Sequence, residues 1–169
     1  MPTYQKLQTI TVPSGGQAAI SFTGISSSYT DLLILLSVRT SRSAIHESLL
    51  MSFNGDNTNR SNIRMYATGS GALQFTSDTL MYGGQGTSAT ATALGFSNSM
   101  MYITSYTKAD IKPSNEDACT ENNGAGALMT FNGNLWSNNA AITSITLTPE
   151  NGGTVQEHST AYLYGISNI

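Results

Sequence analysis

The residues that could do chemistry are few and far apart. His46 and His158 are the only histidines in 169 residues, and Cys119 is the only cysteine. Neither histidine has a second His or a Cys at metal-ligand spacing. Residue counts alone do not exclude a Ser-His-Asp triad, but there is no G-x-S-x-G elbow and no other nucleophile motif. Residues 83–90, GGQGTSAT, are glycine-rich. No Gly-Lys-Ser/Thr follows them and no helix opens after them, so they do not read as a phosphate loop. Glu116 and Asp117 are adjacent in a polar stretch, where solvated acids are the rule. Glycoside hydrolysis needs two carboxylates facing each other across a substrate. The sequence therefore predicts no enzyme, no catalytic residue, no cofactor and no metal site.

One segment invites a metal reading. Phe-Asn-Gly occurs at residues 53–55 and again at 131–133, each time at the end of an apolar run. The first copy continues Asp56-Asn57-Thr58-Asn59-Arg60. An EF-type calcium loop needs several carboxylates and a terminal Glu. The first copy offers only Asp56 and the second, Asn-Gly-Asn-Leu-Trp, offers none. Asn-Gly is instead the strongest short hairpin signal, because both residues tolerate positive φ. Both copies are expected to be turns. Trp136 then reads as a core or rim anchor rather than a sugar platform.

Charge narrows the partners. Charged residues are 10% of the chain, with a net charge of −3, against the usual share of about 25%. No basic block is present to neutralise phosphates, so nucleic acid is not an expected partner. Arg39, Arg42, Arg60 and Arg64 fall close together and are expected to pair with Glu47, Asp56 or a neighbouring subunit. Cys119 stands alone, so no intrachain disulfide can form. No basic segment precedes an apolar run near Met1, so no signal peptide is expected. DLLILLSVRT, residues 31–40, is far shorter than the roughly 20 residues of a bilayer-spanning helix. No membrane partner is expected, and the chain reads as one made in a cytoplasm.

What positions these residues is a set of strands. Short apolar runs separated by Gly, Asn, Ser or Pro predict strands near 4–12, 17–22, 31–40, 48–53, 62–67, 71–76, 99–106, 126–131, 141–148 and 159–166. Pro13 and Gly15-Gly16 predict the first turn. The next strand turns Ala18, Ile20 and Phe22 inward. LLILLSV is apolar on both faces and should be central and covered on both sides. AITSITLT sets Ala141, Thr143, Ile145 and Leu147 on one face. TAYLYGI sets Ala161, Leu163 and Gly165 against Tyr162, Tyr164 and Ile166. Ser43 could cap a short helix over 43–50, but a loop leading into a strand is preferred. Two stretches, 83–99 and 107–124, read as long polar loops that order against another chain. The whole predicts a single all-β domain over 1–169, an antiparallel two-sheet sandwich of jelly-roll type with 8–10 short strands.

Four stretches resemble a known group. FNGDNTNRSNIRMYATGSG, YTDLLILLSVRTSR, GNLWSNNAAITSITLTPENGG and the late HSTAYLYGI are similar to segments of small β-sandwich virion structural proteins of tailed bacteriophages, cyanophages among them. The likeness runs from about Tyr4 to Ile166. It implies a non-enzymatic protein located in the virion. The leading expectation is a capsid decoration (cement) protein, a homotrimer bound to the major capsid protein or other virion proteins and stabilising the outer head. The alternative is a tail-fibre or baseplate protein that recognises a host glycan. The resemblance brings no catalytic residues. Residues 107–124 are more acidic than that group's pattern, which bears on the partner surface and not on the fold. Low charge suits assembly, because burying ions at an interface is costly, and the contact surface is expected to be rich in Ser, Thr and Asn.

Overall fold

A computed structural model describes residues 2–68, 74–121 and 127–168. Its regular elements are all strands: β1 (Thr3–Thr11), β2 (Ile20–Phe22), β3 (Asp31–Ser37), β4 (His46–Phe53), β5 (Arg60–Ala67), β6 (Gln74–Asp78), β7 (Tyr82–Thr87), β8 (Asn98–Ile103), β9 (Lys112–Glu121), β10 (Ala127–Trp136), β11 (Ile145–Pro149) and β12 (Thr160–Ser167). They form two antiparallel sheets, ordered β1-β12-β3-β8-β9-β10-β5-β6 and β2-β11-β4-β7.

Eight of these strands make a jelly roll. β1 pairs with β12, β2 with β11, β3 with β8 and β4 with β7. This is the nested pairing of one long hairpin wrapped into two four-stranded layers. The other four strands arrive as two insertions. β5 and β6 interrupt the connection from β4 to β7, and β9 and β10 the one from β8 to β11. Both insertions add to the same sheet beyond β8.

The core of the jelly roll is apolar. Ile20 and Phe22 of β2, Leu32, Ile34 and Leu36 of β3, Leu49, Met51 and Phe53 of β4, Ile145 and Leu147 of β11 and Leu163 of β12 form one buried cluster. In β3, Leu33 and Leu35 are only half-buried. The strand is central, but its outer face is not fully covered as the doubly apolar sequence suggests. Ala18 is exposed rather than inward, because β2 begins at Ile20. The early turn is as expected: the Gly16 N–H reaches the Pro13 carbonyl at 3.1 Å, with Gly15 at φ 92° and Gly16 at φ 75°.

Several expectations need correction. The stretch 83–99 is not one long loop, because residues 83–87 lie in β7 and β8 begins at Asn98. The stretch 107–124 is likewise mostly β9, with 122–124 outside the described residues. The second Phe-Asn-Gly is no turn. Asn132 and Gly133 lie in mid-strand in β10, paired to β5 and β9 on either side, without positive φ. The first copy is a two-residue hairpin turn, with Asn54 at φ 54°, Gly55 at φ 72° and a bridge from Phe53 to Asp56. Asn54 also delays the strand expected from residue 141. Its Oδ1 accepts from the Thr143 and Ser144 backbone N–H groups and its Nδ2 donates to the Ala141 carbonyl. β11 therefore starts only at Ile145. The segment before β4 is non-helical, as preferred. The strand expected over 71–76 begins at Gln74, with 71–73 outside the described residues.

Candidate functional site

The insertions reverse the usual in-out rule for a sheet. β9 alternates with Lys112, Ser114, Glu116, Ala118 and Thr120 inward, and β10 with Leu128, Thr130, Asn132, Asn134 and Trp136 inward. The interior of this half is therefore largely polar. Asn62 Nδ2 donates to Asn134 Oδ1 at 3.0 Å, and Asn132 Nδ2 donates to Glu116 Oε2. Asn134 behaves like a strand neighbour to β7, accepting from the Tyr82 N–H at 3.0 Å and donating to the Tyr82 carbonyl at 2.9 Å. Glu116 is 1% exposed, and burial pushes its carboxyl up to about 8. Burial outweighs the opposing pull of the Asn132 hydrogen bond and of the nearby Arg64 charge, and so favours its neutral form.

The outer face is the complement. Directly paired residues share a face of the sheet. Leu35, Met100, Asp117, Phe131, Met65 and Phe75 pair in succession across β3, β8, β9, β10, β5 and β6. Ile63 and Met129 lie in the rows on either side. Nine large hydrophobic residues are exposed among the described residues, and five of them, Ile63, Phe75, Met100, Met129 and Phe131, lie on this face. Gly133, paired with Ile63, has no side chain to fill the surface. A dip of about 530 Å3 opens there, lined by Ile63, Ser77, Gly133 and Leu135 among others. Large apolar side chains are thereby concentrated on one face of the sheet, with Asp117 between Met100 and Phe131.

The residues singled out by sequence fall in different places. Asp56 closes the Asn54-Gly55 turn. Its Oδ1 accepts from the Thr58 N–H at 2.7 Å and hydroxyl at 2.6 Å, and its Oδ2 accepts from Trp136 Nε1 at 2.8 Å and Asn138 Nδ2 at 3.3 Å. These donors, the Thr58 hydroxyl first, hold its carboxyl well below the usual carboxylate range. Asp56 is thus a clamp on the buried Trp136, which also packs edge-on against Phe53 at 5.5 Å. Cys119 is exposed, and register places it on the outer face beside Met129. Glu116 and Asp117 point to opposite faces.

The arginines do not pair with Glu47 or Asp56 as expected. Arg39 donates to the carbonyls of Thr92 and Gly95, both at 2.9 Å, and so holds the 88–97 connection. Arg60 reaches Asn57 Oδ1 at 3.2 Å. Arg64 lies 4.7 Å from the Tyr82 ring centre and 5.4 Å from that of Tyr66, and its Nη1 donates to Ser48 Oγ at 3.3 Å. Glu47 instead accepts the Asn151 N–H at 2.9 Å. Arg42, His46, Glu47, Ser48, Arg64, Tyr66, Asp78 and Tyr82 thereby come together around a cavity of about 360 Å3. Sequence reasoning missed this cavity, because its walls come from β4, β5, β6, β7 and β10, and no local spacing joins them.

No protein-family model matches the chain, and no curated protein matches it.

Proposed function

We propose that this chain is a non-enzymatic virion structural protein of a tailed bacteriophage. In this reading it is a capsid decoration protein, assembled as a homotrimer, that binds the outer head through the apolar face of its larger sheet. The observation that carries the reading is the row from Leu35 to Phe75, which has Asp117 as its single charged member. An apolar face on an otherwise polar, weakly charged domain fits a permanent contact better than a transient one, because obligate interfaces are the more hydrophobic class. This reading places the contact on the apolar face rather than on the Ser/Thr/Asn-rich surface expected from composition. The resemblance of the four sequence stretches supplies the partner, a phage shell.

The test is re-addition to particles stripped of the protein. Apolar contacts are hardly screened by salt, so rebinding should occur at both low and high ionic strength. It should raise the resistance of the particle to heat, since a ligand stabilises the state it binds. Hundreds of copies per purified particle would agree with head decoration. A few dozen copies or fewer, or stripped heads that regain no protein while the isolated chain binds host cells, would overturn this reading in favour of the tail-fibre one.

A further inference from the structure

A glycine inside a strand weakens it, because it orders a mobile backbone and brings no side chain to pack. The other strand glycines of this chain are required by crowding. A Cβ on Gly83 would meet Leu147, Met101 and Met51, one on Gly84 would meet Leu36 and Ser99, one on Gly86 would meet Thr40, and one on Gly165 would meet the Tyr29 ring. Gly133 has no such reason. It lies in mid-strand in β10 and is not at positive φ. It marks no bulge, since β10 pairs with β5 and β9 in unbroken register. A Cβ there would meet only the Ile63 carbonyl oxygen, at 4.0 Å. The remaining role for such a glycine is to let another molecule come close.

Two further observations bear on what comes close. Gly133 floors the dip of about 530 Å3 whose walls include Ile63, Ser77 and Leu135. Ile63 is 68% exposed, and an apolar side chain seated in the dip would cover it. The second observation is Asp117. It is half-buried and makes no hydrogen bond or ion pair among the described residues. It lies on the same face, two residues along β9 from Asn115, the partner of Gly133. With strands about 4.8 Å apart and about 3.4 Å per residue, Asp117 stands roughly 8 Å from Gly133. Closing an interface over a carboxylate is costly unless a cation meets it. The occupant therefore carries a large apolar side chain and a lysine or arginine beside it. A second copy laid face to face does not fit, because the row it would bring has Asp117 as its only charge.

We propose that the dip over Gly133 seats a large apolar side chain of the phage shell, with a basic residue of the same segment on Asp117. The inference rests on the decoration reading and gives that contact its centre and its charge.

The experiment compares parent and variants in rebinding to stripped particles, with melting and sedimentation of each isolated chain alongside. Gly133→Leu fills the dip from a position with open space, so it should melt no lower than the parent and sediment like it. It should bind particles at least about tenfold more weakly. Asp117→Lys should lose as much, by setting like charges together, and is the second variant should Gly133→Leu not fold. If the parent rebinds and either folded variant rebinds equally well, the proposal is overturned and the decoration reading stands. If Gly133→Leu breaks up an oligomer of the isolated chain, the dip belongs to a second copy and the proposal is likewise overturned. A parent that does not rebind overturns both.

Discussion

Glu116 is a carboxyl that the fold keeps protonated. Burial sets its pKa at about 8, above the unfolded value near 4.5. A carboxyl raised in this way removes stability as pH climbs between those two values, because the unfolded chain releases the proton first. Glu116→Gln keeps the shape and cannot ionise. Relative to its effect at about pH 4, it should gain roughly 3–5 kcal/mol over the parent at about pH 9, read from urea melts at each pH. Asp56 has the opposite sign. Its donors lower its pKa, so it adds stability above the ordinary Asp range, near 4, and that stability is lost as pH falls through the folded value. Asp56→Asn should be less stable than the parent at neutral pH, and the difference should shrink in acid. Equal melting curves at neutral pH would show that the negative charge of Asp56 adds no stability.

Elements were legible where their inward residues were apolar. β3, β4 and β12 show it, with Leu32, Ile34 and Leu36, then Leu49, Met51 and Phe53, then Ala161 and Leu163. β9 alternates just as regularly, but its inward set of Lys112, Ser114, Glu116 and Thr120 carries no hydrophobic signal, so it read as loop. β7 was hidden by its glycines, which are there to let the strand press close. A Cβ on Gly83 would meet Leu147 Cδ2 at 2.4 Å, Met101 Cε at 3.0 Å and Met51 Cβ at 3.1 Å. Gly83→Ala should therefore cost about 1–3 kcal/mol through overpacking, measured by denaturant unfolding. The second Asn-Gly misled for a related reason. The pair permits a turn without requiring one, and Asn132 is instead held inward against Glu116. The four arginines were visible as a cluster, but their partners come from other strands, so Arg64 read as half of an ion pair rather than as the wall of a cavity.

The whole molecule is a jelly roll with an apolar centre, carrying an extension that is polar within and apolar without. Phe75 should thus matter little to the isolated fold, because it is already largely exposed, at 69%, and Phe131, at 43%, somewhat more. Replacing both with Ser should cost no more than about 2–3 kcal/mol in total. The same pair should abolish association with other copies or with a shell, measured by sedimentation and by particle rebinding. A large loss of stability would mean that the face is covered within the chain itself. The nested pairing has a consequence in time. β1 finds its register only on β12, from Thr3 with Ser167 to Thr11 with Thr160, so the earliest strand waits on the ribosome until the latest has been synthesised. Sheets closed by such distant pairings fold in milliseconds to seconds. The outward apolar side chains of β5, β6 and β10, and the unpaired β1, are therefore exposed together to the cell before the sandwich shuts, so crowding of nascent chains favours aggregation at that stage.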